Sequence, residues 1–241
     1  MRLKIELKAN NSVPQKHFLN KYQNAMNAFF YNILSSSEKF KHLHDKKEIK
    51  GFCFGNLHPI REGTVKENNN YRVYVSSAVP SIIETLFFGI KSDSSLELGD
   101  ASFSVTSVSV EGRKLENNDR IETPVFIHLV KKDKKPILYN IEQENFLKQL
   151  QNNLLHKHNK LNNDNTEMDN LFENVEIDHV LEKKEFSAPL QFDNGSYNVI
   201  GNKLYFKFNN ISNEQLKVFQ TCFDAGFGEK SSYGFGFMVK Q

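Results

Sequence analysis

The segment GFGEKSSYGFG at residues 226–236 guides the interpretation of the whole 241-residue chain. It carries two Gly-Phe-Gly units separated by five residues, among them Lys230 and Tyr233. Paired glycines reach positive φ without steric cost, so the backbone turns sharply and approaches a bulky ligand closely. Successive N–H groups in such a loop are expected to form a concave site for an anion. This segment, the glycine loop, is therefore the first candidate for ligand binding.

A helix is predicted before the glycine loop and a strand after it. Ser212 and Gln215 form a capping-box pattern, and apolar residues follow at helical spacing as far as Phe223. The segment FGFMVK at residues 235–240 is typical of a strand. Walker and Rossmann loops follow a strand and precede a helix. The reversed order here argues against a nucleotide-binding fold.

A glycine-rich hairpin that closes a sheet would also place glycines in turns, but the doubled pattern is narrower than that. It resembles the C-terminal signature of CRISPR-associated repeat-RNA endoribonucleases of the RAMP (repeat-associated mysterious protein) superfamily. That signature is Gly, hydrophobic, Gly, five residues with a basic one among them, then Gly, hydrophobic, Gly. The resemblance implies that the loop contacts repeat RNA through Gly226, Gly228, Lys230, Ser231, Ser232, Tyr233, Gly234 and Gly236. We expect Phe227 and Phe235 to anchor the loop in the core, and Tyr233 to stack on a base.

The composition excludes several classes of protein. The net charge is only +2, so nucleic-acid binding must come from local patches. Two cysteines are too few for a disulfide framework or a cysteine zinc site, which fits a reducing compartment. No apolar run is long enough to cross a bilayer. We therefore expect a cytoplasmic protein with no membrane partner.

The first half of the chain predicts the order β-α-β-β-α-β. Strict alternation in RLKIELKA predicts a half-buried strand, and Pro14 lies near the start of a long helix. The remaining elements are a strand near residues 51–57, a strand at 71–77, a helix at 79–91 and a strand at 101–112. This order is that of a ferredoxin-like module, the framework that RNA-recognition domains also use.

The second half repeats this order with a different sequence. A polar stretch at residues 111–120 is the candidate boundary, and the predicted elements are a strand at 121–130, a helix at 141–161, strand regions near 175–187 and 199–208, then the helix, glycine loop and terminal strand. The predicted fold is α+β, with two tandem ferredoxin-like domains at residues 1–115 and 116–241. The same architecture is implied by the resemblance to RAMP endoribonucleases.

Tyr31 departs from the pattern of the first long helix. One face of this helix is apolar and carries Tyr22, Met26, Phe29 and Ile33. Because successive residues of a helix are rotated by about 100°, Tyr31 lies nearly opposite that face. Core packing does not explain an aromatic residue there, so we expect it on a polar face. A single exposed tyrosine would carry no functional meaning without other residues on that face.

The loop after this helix holds the densest basic and histidine cluster of the chain. The members are His42, His44, Lys46, Lys47 and Lys50. One interpretation is that these residues lie on a solvated loop and have no further role. The other is that an imidazole exchanges protons near neutral pH and that the lysines around it bind a phosphodiester.

The residues favour chemistry without a metal or another cofactor. The carboxylates are scattered rather than clustered as in two-metal nucleases, and the pairs His42/His44 and His156/His158 have no third ligand nearby in the sequence. RNA offers a metal-free route, in which the 2′-hydroxyl attacks the adjacent phosphorus and leaves a 2′,3′-cyclic phosphate and a 5′-hydroxyl. A histidine, a second acid or base such as tyrosine, and a lysine suffice.

The family resemblance implies roles for such a set. Tyr31, His44 and Lys50 occupy the places of the family's catalytic tyrosine, histidine and lysine; His42 is the alternative to His44, and Lys46 and Lys47 are assigned to RNA contacts or to solvent. The implied function is metal-independent cleavage of CRISPR precursor RNA within the repeat. A non-catalytic RAMP subunit that holds processed guide RNA in a larger complex is the alternative. Further partners left open are a CRISPR effector complex and a second copy of the chain.

Overall fold

The fold is α+β, as predicted, with helices packed on antiparallel sheets. The computed structural model describes residues 1–45, 48–59, 64–91, 94–181, 185–192 and 195–241, the side chains of residues 15–20 and 192 excepted. The helices in these ranges are α1 (Gln15–Ser35), α2 (Pro80–Gly89), α3 (Gln143–Asn162) and α4 (Asn213–Ala225), with a 3₁₀ turn at Ser231–Tyr233. The strands are β1 (Arg2–Ala9), β2 (Val13–Pro14), β3 (Phe52–Phe54), β4 (Thr64–Val65), β5 (Asn70–Ser77), β6 (Ser95–Leu98), β7 (Ala101–Glu111), β8 (Arg120–Glu122), β9 (Val175–His179), β10 (Phe186–Phe192), β11 (Gly195–Gly201), β12 (Leu204–Phe208) and β13 (Val239–Lys240).

The first sheet is built around β1. Its order is β3-β5-β1-β7-β6, and each neighbouring pair is antiparallel. The predicted alternation is present, because Leu3, Ile5 and Leu7 are fully buried while Lys8 is exposed. Each such buried aliphatic side chain stabilises the fold by roughly 1.5–3 kcal/mol. Strand β6, which the sequence patterns did not predict, extends the sheet beyond β7.

The second sheet has the order β13-β8-β12-β9. The main strands of the first half are β1, β3, β5 and β7, and they lie in the order β3-β5-β1-β7. The main strands of the second half are β8, β9, β12 and β13, and they lie in the order β9-β12-β8-β13. In both sheets, counted along the chain, the order is second, third, first, fourth. The two halves therefore repeat one connectivity. Each half also has its own core cluster, one drawn from residues 3–105 and the other from residues 115–238.

Four strand predictions for the second half were wrong in extent. The strand expected at residues 121–130 ends at Glu122, and the regions near 175–187 and 199–208 contain the separate hairpin β10-β11. The terminal strand covers only Val239–Lys240, because Gly236 donates its N–H to Phe126 and accepts from Phe227. Because of these bonds, the backbone of Gly236 pairs with loop residues and does not pair with a neighbouring strand.

Helix α4 and the glycine loop have the local structure that was predicted. Ser212 Oγ accepts from the N–H of Gln215 at 3.1 Å, and the Gln215 side chain accepts from the N–H of Ser212 at 2.7 Å, which completes the capping box. The four glycines of the loop have φ between +72° and +86°. A Cβ on Gly236 would lie 1.7 Å from the carbonyl oxygen of Phe227. The close approach that requires glycine here is therefore between the loop and the protein itself.

The expectation that Tyr31 lies on an exposed polar face was wrong. Helix α1 has two buried stripes. The first faces the first sheet and consists of Tyr22, Met26 and Phe30. The second consists of the residues that directly follow these in the sequence, Gln23, Asn27 and Tyr31. This second stripe is buried because α1 also packs against β10 and the 3₁₀ turn of the glycine loop. Both covering elements come from the other half of the chain, so the periodicity of α1 alone does not reveal them.

Polar side chains of β1 and α1 tie the halves together. The Arg2 guanidinium, fully buried on β1, donates to the carbonyl oxygens of Phe223 and Met238, and it lies 3.9 Å from the centroid of the Phe223 ring. Burial lowers the pKa of Arg2 to about 10. On α1, the Asn24 side-chain amide exchanges two hydrogen bonds with the backbone of Gln191 in β10, at 2.7 and 3.1 Å. The glycine loop is thus held between two connected halves.

We expect Gly236→Ala to lower the free energy of unfolding by roughly 3 kcal/mol, from left-handed strain and overpacking together. The matched control is Gly112→Ala, where a Cβ meets nothing within 4 Å. Urea denaturation of both variants measures the difference. Equal stabilities would contradict the account of the loop given above.

Candidate active site

Three residues predicted to be catalytic lie together in the structure. The rings of Tyr31 and His44 meet edge to face at 90°, with centroids 4.9 Å apart. Lys50 donates from Nζ to the carbonyl oxygen of His44 at 3.2 Å and to that of Leu43. The three side chains come from α1, from the turns that follow it, and from the segment that leads into β3. The fold therefore places a phenol, an imidazole and an ammonium at one site.

Tyr31 is held in a largely apolar setting. It is 8% exposed, and its ring contacts Phe52 as well as His44. Burial raises the pKa of Tyr31 to about 12, and a hydrogen bond with the Ser232 side chain offsets part of that rise. Near neutral pH the side chain is therefore a neutral phenol, able to donate a proton or a hydrogen bond.

The contacts of the two histidines differ. Asp45 lies near both, with carboxylate oxygens 3.5 Å from His44 Nδ1 and 3.7 Å from His42 Nδ1, and all three side chains are largely exposed. Asp45 therefore does not distinguish the two imidazoles. The edge-to-face contact with Tyr31 does, because it is formed by His44.

The residues assigned to RNA contact fall into three groups. Gly226, Gly228, Gly234, Gly236 and Ser231 are buried. Lys230, Ser232 and Tyr233 are partly exposed. Lys46 and Lys47 lie outside the described residues. Of the loop side chains assigned to RNA contact, three therefore reach solvent, and the glycines shape the backbone that presents them.

The packing of the loop phenylalanines confirms one prediction. Phe227 and Phe235 are fully buried, in two different core clusters. Tyr233 is half-buried at the edge of the second of these clusters. The two phenylalanines anchor the loop, as expected from the sequence.

The expected anion site of backbone amides was wrong for much of the loop. Donors to protein carbonyl oxygens include the N–H groups of Gly226, Phe227, Glu229, Tyr233, Gly234 and Gly236. The loop instead turns oxygen atoms inward, and these surround a cation of the protein. Lys157 Nζ on α3 donates to the carbonyl oxygens of Gly226 and Gly228 and to Ser231 Oγ, each at 2.6 Å. Burial lowers the pKa of Lys157.

A cleft of about 390 Å³ extends from this site along the glycine loop to α3. Its polar lining includes Glu48, Lys50, His156, Glu229, Lys230 and Ser232. Both halves of the chain contribute to it, and charges of both signs are present. The cleft therefore continues the Tyr31 site across the boundary between the halves.

The two histidines of α3 lie in different surroundings. His158 is buried, with Nδ1 2.9 Å from Thr221 Oγ1, while His156 is exposed on α3. Within the described ranges, no three His, Cys, Asp or Glu side chains are grouped so that they would hold a metal ion. In the same ranges, no helix has the length and apolar character needed to span a membrane.

Two residues at the site were missed by sequence analysis. Lys157 interrupts the inward stripe of α3 that contains Phe146, Leu150 and Leu154, and a charge in such a stripe is the signal that would have found it. Asn27 lies one turn before Tyr31 and donates from Nδ2 to the carbonyl oxygen of Ser232 at 2.7 Å. It has no comparable signal, because asparagine on a helix surface is common.

Comparison with known proteins gives a consistent family. Residues 112–240 match the family model described as "CRISPR associated protein Cas6, C-terminal". Two curated relatives from Methanocaldococcus jannaschii are CRISPR-associated endoribonucleases Cas6 2 and Cas6 1. Each is 24% identical to this chain over 99% of its length, with 98% and 92% of the relative covered.

Solved structures show the same fold. A CRISPR associated protein Cas6 superposes with a TM-score of 0.73 at 22% identity, covering 100% of this chain and 99% of the other. A RAMP protein described as binding different RNA substrates superposes with a TM-score of 0.71 at 17% identity, with the same coverage. The likeness extends over both halves.

We expect Tyr31 to titrate near pH 12, not near the ordinary value of 10. A folded-state pKa above the unfolded one means that neutral Tyr31 stabilises the fold below pH 10, and that this contribution is lost as the pH rises towards 12. Ultraviolet titration of the wild type minus Tyr31→Phe measures the midpoint. A difference signal centred at pH 10 would show that Tyr31 is not buried as described.

Proposed function

Because the chain belongs to the Cas6 family of CRISPR-associated proteins, we propose that it cleaves the precursor transcript of CRISPR guide RNAs within the repeat. The observation that carries this proposal is the contact between Tyr31 and His44, with Lys50 beside them. The curated relatives named as endoribonucleases support the same reaction class. The substrate is RNA and the reaction is phosphodiester cleavage.

The proposed reaction is a metal-independent transesterification. The 2′-oxygen of one nucleotide attacks the adjacent phosphorus in line, its proton passes to a base, and the bond from phosphorus to the 5′-oxygen breaks. The leaving 5′-oxygen takes up a proton, so the products are a 2′,3′-cyclic phosphate and a 5′-hydroxyl. The enzyme supplies alignment, two proton transfers and stabilisation of the charge on the phosphoryl oxygens.

The three side chains suit these tasks in different ways. His44 is exposed, so its imidazole meets the RNA and exchanges a proton with it, as base towards the 2′-hydroxyl or as acid towards the 5′-oxygen. Tyr31 is a neutral phenol and serves at the opposite end of the displacement. The ammonium of Lys50 stabilises the charge that builds on the phosphoryl group.

Binding is proposed to use the exposed part of the glycine loop. Lys230 supplies a positive charge for a phosphate, and Tyr233 supplies a ring for base stacking. Ser232, which precedes Tyr233 in the chain, forms a hydrogen bond with Tyr31. The four buried glycines act by giving the loop its shape. Formation of a homodimer and association with a CRISPR effector complex are further predictions.

The fold is proposed to consist of two tandem ferredoxin-like domains, at residues 1–115 and 116–241. The repeated strand order of the two sheets supports this division. Leu115 packs in the second core cluster, so the change from one core to the other supports a boundary close to this position. The proposed catalytic residues then belong to the first domain and the glycine loop to the second.

We expect an end-labelled repeat RNA to be cut in excess EDTA, to leave a cyclic phosphate end, and to resist cleavage when the nucleotide at the cut site is 2′-deoxy. His44→Ala should lower the cleavage rate by about 100-fold to 10,000-fold, the usual contribution of a general acid or base. His42→Ala is the matched control and should have a much smaller effect. Single-turnover rates from gels measure all of these.

Two outcomes would change the proposal. A larger loss in His42→Ala than in His44→Ala would move the proton transfer to His42. Wild-type protein that binds the repeat RNA and leaves it intact would replace the nuclease with a subunit that holds guide RNA.

Lys230→Ala should weaken RNA binding. It should also make the negative slope of the logarithm of the binding constant against the logarithm of the salt concentration shallower by roughly 0.7–0.9, which is the contribution of one phosphate contact. Lys148→Ala, an exposed lysine on α3 away from the loop, is the control. Filter binding over a range of salt concentrations measures both. An unchanged slope would remove Lys230 from the interface.

A further inference from the structure

Lys157 is the most constrained cation near the site, and the reaction proposed above gives it no role. Its side chain is 5% exposed, and its Nζ has three oxygen partners at 2.6 Å. An ammonium group has three N–H donors, so these partners match its full donor capacity. Two of the partners are loop carbonyls and the third is the hydroxyl of Ser231. Lys157 therefore joins α3 to the first part of the glycine loop, residues 226–231.

The loop transmits this connection to α1. Ser232 follows Ser231 directly, and its carbonyl oxygen accepts from Asn27 Nδ2 at 2.7 Å. Its side chain forms the hydrogen bond with Tyr31. Asn27 and Tyr31 lie one helical turn apart on α1, so one loop residue contacts two neighbouring side chains on the same face. A continuous series of contacts thus runs from Lys157 through Ser231 and Ser232 to Tyr31.

We propose that Lys157 is a positioning residue for RNA cleavage: by holding the glycine loop it keeps Ser232 against Tyr31 and so fixes the Tyr31 hydroxyl relative to His44. This inference rests on the proposed function, which makes Tyr31 a catalytic residue. Lys157 is buried in the wall of the cleft, and its three donors are taken up by oxygens of the loop. It acts from the second half of the chain on a side chain of the first.

The physical reason is the cost of leaving the loop oxygens without donors. Replacing Lys157 by an apolar side chain of similar length leaves two buried carbonyl oxygens and a hydroxyl without these hydrogen bonds. The loop then relieves the loss by moving its oxygens towards water, and Ser232 moves with it. A shift of about 1 Å in a catalytic group costs about 100-fold in rate.

The first test compares Lys157→Met with Lys160→Met, which makes the same substitution at an exposed position on the same helix. Lys157→Met should lower kcat by about 100-fold with little change in KM, and Lys160→Met should change neither. The same substitution is then made in the Tyr31→Phe background. If Lys157 acts through the Tyr31 hydroxyl, it should have little further effect there.

The second test requires no cleavage and follows Tyr31 itself. Displacement of the loop removes the burial of Tyr31, so its pKa should fall from about 12 towards 10 in Lys157→Met. Ser232→Ala keeps the Lys157 contacts and removes a hydrogen bond that lowers this pKa, so it should move the pKa upwards. The opposite directions separate a displaced loop from a lost hydroxyl.

A third variant covers the case in which Lys157→Met does not fold. Ser231→Ala removes one of the three acceptors and leaves both carbonyl oxygens in place. It should lower kcat by about 10-fold, because a loop held at two points moves less than one that is released. Thermal unfolding of each variant identifies those that are folded.

The proposal is overturned if folded Lys157→Met keeps the wild-type kcat, if its loss of kcat is equally large in the Tyr31→Phe background, or if the pKa of Tyr31 stays at about 12. If Lys157→Met does not fold, an unchanged kcat in Ser231→Ala overturns it as well. Wild-type protein that leaves repeat RNA intact refutes the proposed function instead. In that case the titration of Tyr31 still decides whether Lys157 positions it.

Discussion

The hydrogen bonds of one buried ammonium group hold inward-facing oxygens of the glycine loop in place. Burying a charge is costly unless its donors are satisfied, and Lys157 meets this requirement with oxygens of Gly226, Gly228 and Ser231. The positive φ angles of the glycines allow the chain to curl tightly enough to bring these oxygens together. Loop and lysine therefore stabilise each other, and neither would be expected to keep its conformation alone.

This arrangement changes the meaning of the glycine-rich motif. Glycine loops in many proteins present amide groups to an anion. Here six of the amides bond to protein carbonyl oxygens, and the loop encloses a cation instead. What remains for a ligand is the outer side of the loop, where Lys230, Ser232 and Tyr233 are partly exposed. The glycines act indirectly, by shaping the loop that carries those three side chains.

The site also depends on the joining of the two halves. Tyr31 and His44 belong to the first, Ser232 and Lys157 to the second, and the cleft is lined by both. Arg2 and Asn24 hold the halves in contact through bonds to backbone carbonyl oxygens and, for Asn24, to an N–H group. Because every residue has backbone polar groups whatever its side chain, hydrogen bonds to them cannot be recognised from the sequence of the accepting segment. They nevertheless decide which face of α1 is buried.

The sequence alone was enough to predict the α+β class, the strand β1, the capping box of α4, the left-handed glycines and the grouping of Tyr31, His44 and Lys50. All of these depend on local periodicity, on backbone sterics or on a recognisable motif. The tertiary structure alone decided that Tyr31 is buried, that the loop amides bond internally and that Lys157 holds the loop. The burial of Tyr31 and the place of Lys157 result from contacts between residues far apart in the chain, 205 positions for Asn27 and Ser232 and between 69 and 74 positions for Lys157 and its three loop partners. Local patterns do not encode which distant surface will cover a helix face, and this is why the burial of Tyr31 could not be predicted.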